Sequence, residues 1–187
     1  MKQGSLFTIL FADLVGSTGL FDHLGDVDAD DVRREHFAAL RSAARAHDGR
    51  VVKSPSDPLM VGYSSAVASL RCAVDMQRAT EATRPGLKAG LDACEPRAEG
   101  DDLYGTATIG ASLLCESARA GEMLASDLAC GIAGRALSAL IEPTGPLGPH
   151  DVSHHLTAPR LRWGEEAAGS RGRLGPAWRR LSGCRRR

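Results

Sequence analysis

The order of its apolar runs most narrows the folds open to this chain. Residues 5–12, Ser-Leu-Phe-Thr-Ile-Leu-Phe-Ala, form a β-rich run ending at Asp13, which reads as a buried strand. Asp28 to His47 reads as a helix: Phe37, Leu40 and Ala44 fall at i, i+3 and i+7, and the acidic 28–31 stretch suits the positive end of the helix dipole. Asp48-Gly49 ends it. Arg50–Lys53 and Leu59–Tyr63 are short strand candidates around Ser54-Pro-Ser-Asp-Pro58, a turn composition. Together they predict a hairpin with Asp57 near its tip. Ser65 to Ala82 is helical by pattern, with Val67, Leu70 and Val74 on one face; Arg84-Pro-Gly86 breaks it, and Leu87–Ala93 is the next strand. The order β, α, β, β, α, β predicts an α+β, ferredoxin-like (split βαβ) fold. In such a sheet the first and third strands lie side by side at the centre.

Further along, Glu99–Asp102 reads as a loop, Tyr104–Ala118 as a helix, Glu122–Ala125 as a strand and Asp127–Leu140 as a helix. Beyond Pro143, four prolines (Pro143, Pro146, Pro149, Pro159) with Gly145 and Gly148 predict irregular chain. From about Gly164 the Gly, Arg, Ala and Ser composition predicts a disordered basic tail. The expected division is therefore 1–142 as the main domain, 143–163 as its degenerate C-terminal part, and 164–187 as the tail.

Composition excludes several function classes. Apolar residues make up 43% and charged residues 25%, which are globular values. No apolar run is long enough to span a bilayer, and no cleavage pattern follows the first one, so a cytoplasmic protein without membrane contact is expected. The five cysteines are odd in number and form no C-x-x-C pair, which argues against a disulfide framework or zinc site. Nine Arg and two acids give residues 160–187 a charge of +7, leaving −7 on the rest. An acidic body with a basic tail is not the pattern of a nucleic-acid reader, and no nucleic-acid partner is expected. It suits a site that gathers metal cations, and equally a plain acidic surface.

Two carboxylates stand where strand ends would meet, Asp13 after the first strand and Asp57 between the second and third. Such a pair repels unless a cation sits between, and hard oxygen ligands favour Mg²⁺ or Mn²⁺. Two such ions would support an in-line phosphoryl displacement. The turn Val15-Gly16-Ser17-Thr18 opens a short helix, capped by Ser17 or Thr18, whose N–H groups would suit a polyphosphate. An Asp at a strand end serves equally well as a turn or cap residue.

Phe11-Ala-Asp13-Leu-Val-Gly-Ser-Thr18 closely resembles the opening motif of class III adenylate/guanylate cyclase catalytic domains, F-x-D-[IL]-x-G-[SF]-T. His47-Asp-Gly-Arg-Val-Val-Lys53, with Asp57 four residues on, resembles the family's H-G-G-x-x-x-K-x-x-G-D stretch, and Ala66–Gln77 the helix after it. Gly100-Asp-Asp-Leu-Tyr-Gly105 is similar to its D-x-[WY]-G block, and Ala120-Gly-Glu-Met-Leu-Ala-Ser126 to its G-x-[IV]-L-[AV]-S. The resemblance covers residues 5 to about 130. It implies the class III nucleotidyl cyclase fold and a dimer with sites between subunits. It also implies conversion of a nucleoside triphosphate to a 3′,5′-cyclic nucleotide and pyrophosphate. Asp13 and Asp57, with the Leu14 carbonyl, would hold two Mg²⁺ or Mn²⁺ ions. Val15, Gly16, Ser17 and Thr18 would hold phosphates. Lys53 and Asp102 would read the base from the opposite subunit, a donor and acceptor pair that selects adenine and hence ATP.

The pattern also breaks. The family's next helix carries N-x-A-x-R, for ribose orientation and transition-state charge; here those positions are Ile109 and Leu113. The Gly before the second metal Asp is Ser56, Pro58 follows it, and the later H-x-G reads Asp92-Ala-Cys94. No Lys follows Lys88, so Arg160 and Arg162 are the candidates for the family's C-terminal phosphate-binding Lys. Two readings result. One is an adenylate cyclase, weak as a homodimer or completed by another cyclase domain in a heterodimer. The other is a catalytically inactive, cyclase-like regulatory module that dimerises with an intact cyclase.

Overall fold

The computed structural model describes residues 6–16, 25–52, 58–81, 86–94, 97–99, 102–104, 106–143 and 158–163. Its first strand, β1 (Phe7–Val15), has buried residues on both faces, which is what a central strand needs. Helix α1 (Asp26–Ala46) follows, then β2 (Arg50–Val52) and β3 (Leu59–Tyr63). The turn after α1 holds Asp48 at φ 56, and the Gly49 N–H closes the helix on the Ala44 carbonyl at 2.8 Å. Helix α2 (Ala66–Thr80) starts at Ser65, whose hydroxyl accepts from the Ala68 N–H at 3.3 Å. Then come β4 (Gly86–Cys94), the short strands β5 (Arg97–Glu99) and β6 (Asp102–Tyr104), and α3 (Thr106–Ser117). β7 (Met123–Ala125), α4 (Asp127–Ala133), a 3₁₀ turn (Gly134–Leu140), β8 (Ile141–Glu142) and β9 (Arg160–Leu161) complete the described chain.

The main sheet has the order β2-β3-β1-β4-β7-β9-β8. β1 lies between β3 and β4, antiparallel to both, and its pairing with β4 runs the full strand from Phe7↔Cys94 to Val15↔Gly86. The first and third strands are neighbours, as the split βαβ order requires. One face of the sheet carries Leu10, Ala12 and Leu14 into the larger core against α1 and α2. The buried Gln77 amide ties α2 to the sheet by donating to the Leu87 carbonyl at 2.9 Å. The opposite face carries Ile9 and Met60 into a smaller cluster with Ala107 and Ala111 of α3.

Four expectations from sequence change. β1 does not stop before Asp13; it runs to Val15 because Lys88, Leu87 and Gly86 offer ladder partners. The expected loop 99–102 contains paired strand, Glu99 opposite Asp102, and α3 begins at Thr106 rather than Tyr104. The helix from Asp127 ends at Ala133, where Gly134 turns to φ 58. Finally, a last strand pair does exist: Leu161 pairs with Ile141, and Arg160 pairs with Leu124. The Arg160 guanidinium holds Glu122 at 2.6 Å, and the Trp163 indole N–H donates to the Gly121 carbonyl at 2.6 Å.

α3 sits on β4 with backbone against backbone. A Cβ at Gly90 would run into the Ala111 carbonyl oxygen and the Cys115 nitrogen. Gly90→Ala is therefore expected to destabilise by at least ~1–3 kcal/mol, because no side chain can yield there. Gly131, in α4, has nothing within 4 Å of an added Cβ, so Gly131→Ala is expected to stabilise by roughly 0.5–1 kcal/mol. Denaturant melts of both variants check the contrast.

Candidate active site

Strand alternation puts Ile9, Phe11 and Asp13 on the α3 side of β1, and Lys88, Gly90 and Asp92 on the same side of β4. Asp13 is directly opposite Lys88 in the ladder. Their side chains meet, Lys88 Nζ to Asp13 Oδ2, at 3.4 Å, with relative exposures of 19% and 30%. The other carboxylate oxygen, Oδ1, accepts the Leu14 N–H at 2.9 Å. Sequence reasoning misses this ion pair, since Lys88 is an ordinary residue of a strand until the register is known. Past the half-exposed Val15, Gly16 turns the chain at φ 83, a conformation that favours glycine.

Of the sequence-predicted metal and phosphate residues, Asp13, Leu14, Val15 and Gly16 are consecutive at one end of the central strand. Asp57, Lys53, Ser17 and Thr18 lie outside the described residues. The register still constrains the segment that carries Lys53 and Asp57. β3 starts at Leu59, which pairs with Ala12 next to Asp13, and β2 ends at Val52 opposite Met60. β2 thus ends, and β3 starts, at the end of the sheet where Asp13 stands. Asp102 belongs to β6, paired with β5 immediately before α3. Ile109 and Leu113 are one turn apart on α3. Ile109 is 64% exposed and Leu113 half-buried, while Ala107, Gly110 and Ala111 take the sheet side.

Asp92 is the second carboxylate on this face. Its Oδ1 accepts the Ala93 N–H at 2.7 Å, and Gly110 of α3 comes so close that an added Cβ would meet its Oδ2. Burial, the dominant effect, raises the carboxyl above its ordinary range, opposed by the Ser126 hydroxyl and the Ala93 N–H. The buried thiols are inert: burial pushes Cys72 and Cys115 up to about 12 and Cys130 up to about 11. Among the described residues no group of three or more His, Cys, Asp or Glu is placed to hold a metal ion, and no helix is long and apolar enough to cross a membrane. Arg160, one of two candidates for the missing phosphate-binding lysine, is held by Glu122.

Asp92 gives a stability prediction with a definite sign. Between the ordinary value of 3.8 and the raised one, the folded chain binds more protons than the unfolded chain. Stability therefore falls as pH rises through that window; the cost is fully present above it and gone below it. Asp92→Asn removes the titration, so its stability relative to wild type is expected to improve as pH rises above the ordinary value of 3.8 through the raised one. Thermal melts across that range check it; a gap independent of pH counts against burial as the dominant effect.

No family model matches the sequence, and no curated protein matches it significantly. Solved structures do match. The adenylyl cyclase CyaB from P. aeruginosa is similar with a TM-score of 0.76 and 20% identity, over 91% of this chain and 97% of that one. The adenylate/guanylate cyclase/hydrolase from Silicibacter pomeroyi has a TM-score of 0.69 and 22% identity, over 84% and 96%. A Trypanosoma brucei adenylate cyclase structure has a TM-score of 0.72 and 19% identity, over 91% and 93%. The chain has the α+β fold of class III adenylate/guanylate cyclase catalytic domains.

Proposed function

We propose that this chain is a divergent class III cyclase domain that binds ATP with Mg²⁺ or Mn²⁺ and converts it slowly, or with a partner's help, to 3′,5′-cyclic AMP and pyrophosphate. The observation that carries the reading is the position of Asp13. It stands at the end of a central strand, in this fold, beside the end of β2 at Val52 and the start of β3 at Leu59. Two carboxylates and the Leu14 carbonyl are hard oxygen donors, which fit Mg²⁺ or Mn²⁺. When bound, the two ions supply Lewis acidity to the ribose 3′-hydroxyl and the α-phosphate. Asp13, Asp57 and Leu14 would hold the ions, and backbone N–H groups of Val15 to Thr18 would hold the β- and γ-phosphates. Lys53 and Asp102 orient the adenine across a dimer interface. The 3′-oxygen then closes on the α-phosphorus as the bond to pyrophosphate breaks, and the hydroxyl proton leaves to water.

What this chain does not bring is a donor for charge on the transferring phosphate. Ile109 and Leu113 offer no hydrogen bond, and loss of one preorganised donor costs roughly 3–4 kcal/mol, ~10²–10³ in rate. In a homodimer both sites share the defect, so neither subunit can correct the other. A heterodimer with an intact cyclase domain could be completed by the partner. The 64% exposure of Ile109 also favours the second reading, a binding or regulatory module that uses an apolar residue where a catalyst uses a polar one.

The test is the purified chain with ATP and Mn²⁺, assayed for cyclic AMP. The expected rate is at least ~100-fold below that of a cyclase with both donors. Ile109→Asn with Leu113→Arg is expected to raise it. Turnover by the wild type at the rate of an intact enzyme would sink the alignment of α3. A silent double variant would favour the regulatory reading. Asp13→Ala is expected to lose metal-dependent ATP binding by calorimetry; equal binding by both proteins would remove Asp13 from the site.

A further inference from the structure

We infer that Lys88 is the resident counter-ion of Asp13, and that a divalent cation reaches this carboxylate only by displacing the Lys88 ammonium. The inference rests on the reading of Asp13 as a metal ligand and assigns to Lys88 the setting of the metal's affinity. Three observations carry it. The ladder register puts the two residues opposite each other, so the pairing is built into the sheet rather than reached by a chance rotamer. Asp13 has two oxygens, and Oδ1 is committed to the Leu14 N–H at 2.9 Å. The oxygen facing Lys88, at 3.4 Å, accepts no backbone bond and is the more open of the two to a metal, and a metal spanning both oxygens must also meet the ammonium. Third, both side chains are largely shielded, at 19% and 30% exposure, where opposite charges attract more strongly than on an open surface.

The surroundings leave Lys88 little freedom. Its backbone is fixed by pairing with Asp13 and by the Cys115 thiol, which donates to its carbonyl at 3.8 Å. The neighbouring position on this face is Gly90, against which α3 is seated. A cation arriving at Oδ2 therefore meets an ammonium already there, and binding is an exchange of one cation for another. In the resting chain the Asp13 charge is balanced by Lys88, so this position presents no net charge where the sequence alone counts one negative charge. The exchange predicts weak metal binding, tightened when the ammonium is removed.

The experiment measures Mn²⁺ uptake by the full chain, without nucleotide, from the loss of the free-ion electron paramagnetic resonance signal. Lys88→Met is expected to bind Mn²⁺ about five- to tenfold more tightly than wild type, the scale of losing one shielded ion pair. Lys88→Arg, which keeps the charge, is expected to stay near wild type. Asp13→Asn is expected to weaken binding and to cancel the gain in the double variant. Arg71→Gln removes the same net charge from an exposed site on α2 and is expected to change nothing. Should Lys88→Met fold poorly, Lys88→Gln keeps a neutral donor beside Asp13 and is expected to tighten binding in the same direction. Wild type that binds Mn²⁺ no more weakly than both neutral variants overturns the inference alone. Equal tightening by Arg71→Gln also overturns it, as a general charge effect. If no chain takes up Mn²⁺, the inference falls together with the metal reading of Asp13.

Discussion

The contact between α3 and β4 at Gly90 governs the face of the sheet on which the candidate site is built. With no side chain at Gly90, helix backbone comes down onto strand backbone. That proximity favours small residues along the inner side of α3, where the chain supplies Ala107, Gly110 and Ala111, while the buried Leu114 packs to one side against Leu124. Larger side chains are forced outward or to the flanks, where Ile109 and Leu113 are found. The same contact explains the position of Asp92, whose carboxylate lies in space that only a glycine at 110 leaves open.

Charge on this face is distributed around the same contact. On one side of Gly90 the Asp13–Lys88 pair balances itself across two strands. On the other, Asp92 relies on an N–H and a hydroxyl, and burial raises its pKa. Two carboxylates on one sheet face thus have different electrostatic solutions. The one beside a basic side chain is at the end of the strand where the chain turns at Gly16. The one held by neutral donors is beneath the helix.

Periodicity makes much of the frame legible in the sequence. The run ending at Asp13, the amphipathic helices over 28–47 and 65–82, and the hairpin around residue 57 all carry their signal locally. The fold class follows from their order. The expectations that change share a cause: the interactions that decide them are distant in sequence. β1 runs to Val15 because β4, some seventy residues away, presents partners. β8 and β9 have two residues each, too few for a pattern, and exist because Leu124 and Ile141 complete them. Glu99–Asp102 reads as loop because a strand of three residues cannot show alternation. For the site, motif spacing picks out Asp13 to Gly16, but the Lys88 partnership depends on a register no local pattern encodes. Asp92 is visible in the sequence only as a departure from a motif, without its consequence for α3.

The residues that hold this fold are not those that catalysis would need. The larger core lies under α1 and α2, on the side of the sheet away from Asp13, and the seat of α3 depends on glycine and alanine. Ile109 contributes little to either, being 64% exposed. Isoleucine in place of a polar side chain there costs the fold almost nothing, since the side chain is largely outside the packing. Stability therefore places little restraint on position 109 of α3. The inner side and the ladder beneath it are restrained by sterics and pairing. A chain on this plan can keep the cyclase fold, the strand-end carboxylate and its lysine while the transition-state donors drift to apolar residues. Retention of the fold is evidence about packing, and any chemistry has to be judged from the outer surface of α3 and from the Asp13–Lys88 pair.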